Sequence, residues 1–262
     1  MKTAVIEPDP DRQFAATLAR GIDLLLCFGA RVATLGNKEL SERTGLSRPT
    51  VARLTHTLKL LGYLRQDRES QRWRLGAAAL GLAHPLLASM RIRPIARPMM
   101  ETLAREIEGA VSLGLRHGTH MVYAESARGS EDFVQMPDIG APIPMLSTAI
   151  GHAWLAHATP AERRSTLNQL RVAEPAAFDR YATAVEASRS ELARNGFCSA
   201  RADWQPQRDG FAVPLAAPVD GIAFVLNCAV SSQRGSFAQL RREVAPKLVS
   251  LAHSIEMALG LR

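Results

Sequence analysis

Asn37-Lys-Glu-Leu-Ser-Glu-Arg-Thr-Gly45-Leu-Ser47-Arg48-Pro49-Thr50-Val-Ala-Arg53-Leu54 is the stretch on which the fold turns. Asn37 is a capping residue for a short helix whose inward face is Leu40 and Thr44. Gly45 then supplies a tight turn, because glycine takes positive φ without steric cost. Ser47 caps a second helix, with Pro49 in its first turn where a missing N–H costs nothing, and Val51, Leu54, Leu58 and Leu61 form its inward stripe as far as Gly62. Upstream, Phe14, Leu18, Ile22, Leu25 and Leu26 recur at helical spacing and predict a helix over 14–28. Downstream come Tyr63 and Leu64, a polar run over 66–71, then Trp73 and Leu75, which predict two short strands joined by a charged loop. A helix, a helix-turn-helix and a basic hairpin in that order make a winged helix-turn-helix over residues 14–76.

Charge points the same way. The 262 residues carry a formal +7, and residues 37–76 hold nine Lys or Arg against four Asp or Glu, so +5 of it falls in 40 residues. Opposite its inward stripe, the second helix of the motif presents Ser47, Arg48, Pro49, Thr50, Arg53 and Thr57. Leading residues of this kind reach base edges and phosphates, while the back of the helix packs on its neighbour. Arg65, Arg68, Arg72 and Arg74 of the hairpin are spaced to lie along a duplex flank and add affinity rather than specificity. A merely solvated basic helix would leave the basic hairpin behind it unexplained. The expected partner is a double-stranded DNA operator.

The remainder reads as a second domain. Residues 77–90 are Ala- and Leu-rich and interrupted by Pro85, giving a linker helix over 77–92, with a further helix running to about residue 108. Strands are expected at 111–116 and 121–127, joined by a hairpin through His117 to His120, and at 133–136. Helices at 149–157, 160–170 and 178–195 precede strands at 197–200, 211–215 and 222–229 and a terminal amphipathic helix at 236–259. Hairpin strands with segregated helices indicate an α+β fold: winged helix-turn-helix, linker helix, then an antiparallel sheet with flanking helices over 93–262. Residues 1–13 read as a disordered tail without the apolar segment of a secretory signal. No apolar run is long enough for a bilayer, so no membrane partner is expected.

Cys27, Cys198 and Cys228 are odd in number and lack Cys-x-x-Cys spacing, which fits a reducing cytoplasmic compartment better than a disulfide framework or a zinc site. The His117/His120 and His152/His157 pairs lack further ligands at metal-binding spacing, so neither metal nor cofactor is expected. Gly-x-Ser-x-Gly, His-Glu-x-x-His and phosphate-loop signatures are absent, which argues against an enzyme. The one sharp catalytic alternative is a cysteine-dependent redox enzyme, which requires a low thiol pKa at Cys198 or Cys228.

The stretch quoted at the start, followed by Leu60-Leu-Gly-Tyr-Leu64, resembles the DNA-binding half of the IclR family of regulators. Asp138-Ile-Gly-Ala-Pro-Ile-Pro-Met-Leu-Ser-Thr-Ala-Ile-Gly-His-Ala-Trp-Leu-Ala156 resembles that family's effector-domain signature. Asn195-Gly-Phe-Cys-Ser199 and Ala212-Val-Pro-Leu215 resemble its later strands. The resemblance implies a GAF-like domain that binds a small carboxylic or aromatic acid and joins subunits into a dimer or a dimer of dimers. It carries over Cys198, Asp203, Trp204, Phe211, Asn227 and Ala229 as pocket residues, Trp204 and Phe211 suggesting an aromatic ring. The residues themselves supply an anion site: Ser147 or Thr148 caps a helix whose first N–H groups, at Ala149, Ile150 and Gly151, are free for a carboxylate. Met136, Met145 and Leu146 are expected as the apolar wall.

Overall fold

The structure, a computed structural model, describes residues 14–29, 32–133, 136–201 and 203–261. The tail expected over 1–13 lies outside them. Contacts divide the chain between Ser89 and Met90.

The first unit contains α1 (Ala16–Leu26), α2 (Asn37–Thr44), α3 (Arg48–Leu60), the antiparallel pair β1 (Leu64–Gln66) and β2 (Trp73–Leu75), and α4 (Ala78–Ser89). Leu24, Cys27, Leu35, Leu40, Val51, Leu64 and Trp73 form its core. Gly45 has φ +69° at the end of α2, as the turn between the two helices requires. Three expectations shift. The cap of α2 is Gly36, whose N–H donates to the Glu39 carboxylate at 2.7 Å, while Asn37 accepts from the Trp73 indole at 2.7 Å. Leu61 falls beyond α3 and is exposed, and Thr55 takes the buried position by donating to the Val51 carbonyl. Leu18, Ile22 and Leu26 of α1 also face solvent. Helical spacing establishes that a face is apolar, not that its own chain covers it. Helix α4 runs through Pro85, belongs by contacts to this unit and buries none of its residues.

The second unit begins with α5 (Ile92–Glu106). Strands β3 (Ala110–His117), β4 (His120–Arg128) and β5 (Pro142–Pro144) follow, then α6 (Ala149–His157), α7 (Pro160–Ala173), α8 (Pro175–Asn195), β6 (Cys198–Ala200), β7 (Arg208–Pro214), β8 (Phe224–Ser231) and α9 (Phe237–Ala258). The six strands described form one antiparallel sheet in the order β5-β4-β3-β8-β7-β6. Of the strand expected at 133–136, Phe133 ends a 3-10 turn and 134–135 lie outside the described residues, while Pro142–Pro144 forms an edge strand on β4 that was not expected. Proline tolerates that place, since an edge strand needs only one side of its ladder. Helices α5 and α9 pack on one face of the sheet and α6 on the other, with α8 behind α6. Along β7, Phe211 stacks on Phe237 of α9 while Ala212 joins the α6 core, which is the alternation of a strand covered on both sides.

Candidate nucleic-acid interface and ligand pocket

The polar face of α3 is built from its cap outward. Ser47 Oγ accepts from the Thr50 N–H at 3.4 Å and lies 2.9 Å from its hydroxyl, fixing the helix start. Arg48, Pro49, Arg53 and Thr57 are exposed beyond it, Thr57 donating to the Arg53 carbonyl. In the hairpin, the Asp67 carboxylate accepts from the Ser70 N–H and hydroxyl, which closes the turn and holds that carboxyl below its usual range. Arg65 and Arg74 are direct cross-strand partners. Like charges so placed repel, so the hairpin carries a cost that a polyanion removes. Arg68 joins them along one open face, and among the described residues none of Arg48, Arg53, Arg65, Arg68 and Arg74 is in an ion pair.

Arg72 differs. Its guanidinium donates to the Thr34 hydroxyl at 3.2 Å, the Thr34 carbonyl at 3.0 Å and the Glu39 carboxylate at 2.9 Å. The bond from Arg72, and then that from Gly36, holds the Glu39 carboxyl below its ordinary value. Arg72 is therefore a strut between the hairpin and the start of α2, not a free anchor for phosphate. Arg72→Ala is expected to cost about 1–2 kcal/mol, visible as earlier thermal unfolding, the partial exposure of the pair limiting the effect. Arg72→Lys should not restore it, because an ammonium cannot make the forked contact. Unchanged unfolding in both variants would show the strut to be idle.

In the second unit an open pocket of about 410 Å³, mouth included, lies between the start of α6, the loop after β6 and the sheet. Thr148 caps α6 by accepting from the Gly151 N–H at 3.4 Å and itself donates to the Pro144 carbonyl at 2.5 Å. The cap consumes Gly151, one of the three expected donors, and leaves the N–H groups of Ala149 and Ile150, both in the pocket wall. First-turn N–H groups point out along the helix axis, where anions collect.

Of the residues expected at the pocket, Met136, Ser147, Thr148, Ala149, Ile150, Trp204, Asn227 and Ala229 line it. Met145, Leu146 and Cys198 are buried in the core between α6 and the sheet. Phe211 points to the opposite face of the sheet, and Asp203 is exposed, 3.9 Å from Arg180. A two-residue repeat decides these positions: on β7 Gly210 faces the pocket, so its neighbour Phe211 does not. Tyr123, Ile143, Arg201, Gln205 and Arg208 also line the pocket and were not expected. Arg208 donates to the Asp132 carbonyl and lies 4.3 Å over the Phe133 ring. The signal available for Tyr123 was its place on the strand whose neighbours face α6.

Burial pushes the Cys198 and Cys228 thiols up to about 12, the reverse of what a redox nucleophile needs. Among the described residues no group of three or more His, Cys, Asp or Glu is placed to hold a metal ion, and no helix is long and apolar enough to cross a membrane.

The sequence profile of the IclR helix-turn-helix domain matches residues 17–68, and that of the bacterial transcriptional regulator IclR C-terminal domain matches residues 84–255. The chain belongs to the IclR family. It is 29% identical to the HTH-type transcriptional regulator TsaQ1/TsaQ2 of Comamonas testosteroni over 98% of this chain and 94% of that one. A crystallised IclR family regulator from Brucella abortus is similar in structure, with TM-score 0.84 and 34% identity over 98% of both chains. An IclR homologue of Microbacterium hydrocarbonoxydans, crystallised with 4-hydroxybenzoate, has TM-score 0.70 at 20% identity, covering 94% of this chain and all of that one, and shows a shared fold. IclR members are DNA-binding transcription regulators, not enzymes, and this chain has both of the family's domains.

In this IclR protein His152 sits behind the pocket. Its Nε2 lies 2.7 Å from the Leu146 carbonyl and the ring also bonds the Ser199 backbone, so it ties the turn before α6 to β6. Burial holds its pKa below the ordinary imidazole value, outweighing the raising effects of those carbonyls and of Glu191 on α8. The unfolded chain therefore takes up this proton at higher pH than the native one. The stability concerned is complete above about pH 6.5 and is lost as pH falls through the lower native pKa. Thermal unfolding followed from pH 8 to pH 5 should show this loss, and His152→Gln should flatten it. An unaltered slope in the variant would assign the pH dependence elsewhere.

Proposed function

We propose that this regulator binds a small aromatic carboxylic acid in the second-unit pocket, and that occupancy changes its affinity for an operator read by α3 and flanked by the hairpin arginines. The observation that carries this is the start of α6: a capped helix N-terminus with two remaining N–H donors, opening on a pocket that Trp204, Ile143 and Met136 make largely apolar. A carboxylate on a ring matches both parts. The sites proposed for DNA are Ser47, Arg48, Pro49, Thr50, Arg53 and Thr57 with Arg65, Arg68 and Arg74.

The working form is a homodimer or a dimer of dimers. Helix α4 contains no charged residue and exposes Leu80, Leu82 and Leu86, and α1 exposes Leu18, Ile22 and Leu26, apolar surface that a second copy would cover. Two recognition helices would then meet a two-fold symmetric operator.

Thermal shift with benzoate and its ring-substituted relatives identifies binders. Calorimetry of the best binder with and without an operator selected from randomised DNA then measures coupling. Ligand and DNA must alter each other's affinity by one common factor. Equal acid affinity in both states excludes control by ligand.

A further inference from the structure

Helix α5 lays a row of apolar side chains on the sheet, Ile92, Ala96, Met100, Leu103 and Ala104, and beneath its first turn β4 places a charge, Glu125, of which only 2% is exposed. One carboxylate oxygen lies 2.9 Å from the Arg93 guanidinium and the other accepts from the Ser126 N–H at 3.2 Å. The Arg93 side chain is itself 19% exposed, so both charges are largely out of water. Arg97, one turn along α5, bonds Glu101 and adds a second positive charge near the Glu125 carboxylate. A pair so buried is costly to break, because either partner alone is left charged and dry. Arg91 and Asp220, also at the start of α5, form a pair that is exposed on both sides and holds far less.

The strand that carries Glu125 also reaches the pocket, through Tyr123 two residues earlier. Residues two apart on a strand normally share a face. Here they do not. Leu113 pairs with Glu125 while the next residue, Gly114, pairs with Tyr123, so Ala124 is an extra residue in β4 and turns the two side chains to opposite faces. The Tyr123 phenol accepts from Asn227 and hydrogen-bonds Ser112 on the α6 side, and Glu125 meets Arg93 on the α5 side. This bulge lies beneath the first turn of α6, where a Cβ on Gly114 would come within 2.6 Å of the Ile150 side chain. Helix α5 is also where the chain enters this unit: Met90 and Arg91 alone separate it from α4, and Met90, Ile92 and Ala96 are buried.

We infer that Glu125 is a positioning residue for ligand control: through its pair with Arg93 it couples the bulged stretch of β4 at the pocket to the first turn of α5, and so to the segment that leads into α4. The inference rests on the acid-binding reading of the pocket and adds the route by which occupancy is passed on. A ligand that favours one setting of the bulge moves Arg93 with it, because close-packed elements transmit small shifts rather than absorb them.

The test is calorimetry of the full-length protein with the ring-substituted benzoate that gives the largest thermal shift, with and without the selected operator. In the unaltered protein acid and DNA should change each other's affinity by about fivefold or more. Glu125→Gln should bring that factor below about twofold, while acid affinity and operator affinity, each measured alone, stay within about twofold of their starting values. The double variant Arg93→Gln/Glu125→Gln leaves no uncompensated charge, should behave in the same way, and guards against a single variant that fails to fold. Arg91→Ala should keep the full factor. Amide hydrogen exchange over residues 91–96 should respond to the acid in the unaltered protein and not in Glu125→Gln. Coupling that survives both Glu125 variants overturns the inference. So does acid or operator affinity that falls along with the coupling, since the pair would then only support the fold. If the unaltered protein binds no acid, or binds it equally with and without DNA, the proposed control itself fails and takes this inference with it.

Discussion

Replacing Arg65 and Arg74 together by alanine is expected to weaken binding to a random-sequence DNA duplex by about 30-fold at 0.15 M salt without lowering the unfolding temperature. Each lysine or arginine that neutralises a phosphate contributes about 0.9 to the slope of log affinity against log salt. At that salt this is roughly 0.7 of a decade per contact, so two contacts account for the loss, and the slope itself should flatten by about 1.8. The stability half of the expectation follows from register: Arg65 and Arg74 stand directly opposite each other and their removal relieves repulsion within the hairpin. A variant that loses affinity because it unfolds would show the opposite thermal shift. An unchanged salt slope would remove the hairpin from the DNA interface. The contrast with Arg72, whose loss should lower stability, separates arginines offered outward from the one spent inside.

Gly151→Ala is expected to be the most damaging single substitution near the pocket. Gly151 lies in the first turn of α6, and a Cβ there would overlap the backbone of Met145. A flexible side chain would yield, but a backbone cannot without moving the turn that carries Ser147 and Thr148. Overpacking typically costs 1–3 kcal/mol, and backbone against backbone places this at about 3 kcal/mol. For a domain of this size that corresponds to a fall of roughly 6–12 °C in Tm. Because α6 and the 145–148 turn must separate, the stabilisation conferred by a bound carboxylate should vanish with it. Near-native Tm together with an intact thermal response to acids would show that the two backbones have room to part.

Legibility in the sequence followed locality. Gly45, Ser47 and Pro49 announce a turn and a helix start through their own backbone preferences, and the structure places α2 and α3 there. The 149–157 helix was equally readable, since a cap involves residues three apart, and of the two caps the sequence offers, Ser147 or Thr148, the structure uses Thr148. Expectations that depended on distant partners did worse. Asn37 has the right chemistry for a cap, yet the Trp73 indole claims it from 36 positions away. The family resemblance puts Phe211 at the pocket, and one step of strand alternation turns it to Phe237 instead. The edge strand Pro142–Pro144 was not expected, because pairing with β4, not β-propensity, selects it.

By itself the sequence determined what is set by short-range sterics and charge: the helix-turn-helix with its basic hairpin, the capped start of α6, the α+β order of elements, and thereby the family. Only the tertiary structure decided which arginine faces outward and which braces Glu39, which residues share the pocket, and that Asn227, Tyr123 and Ser112 meet on one face. The physical reason is that strand register and long-range hydrogen bonds join residues more than a hundred positions apart, as Asn227 and Tyr123 are. Local preference carries no information about a partner at that distance.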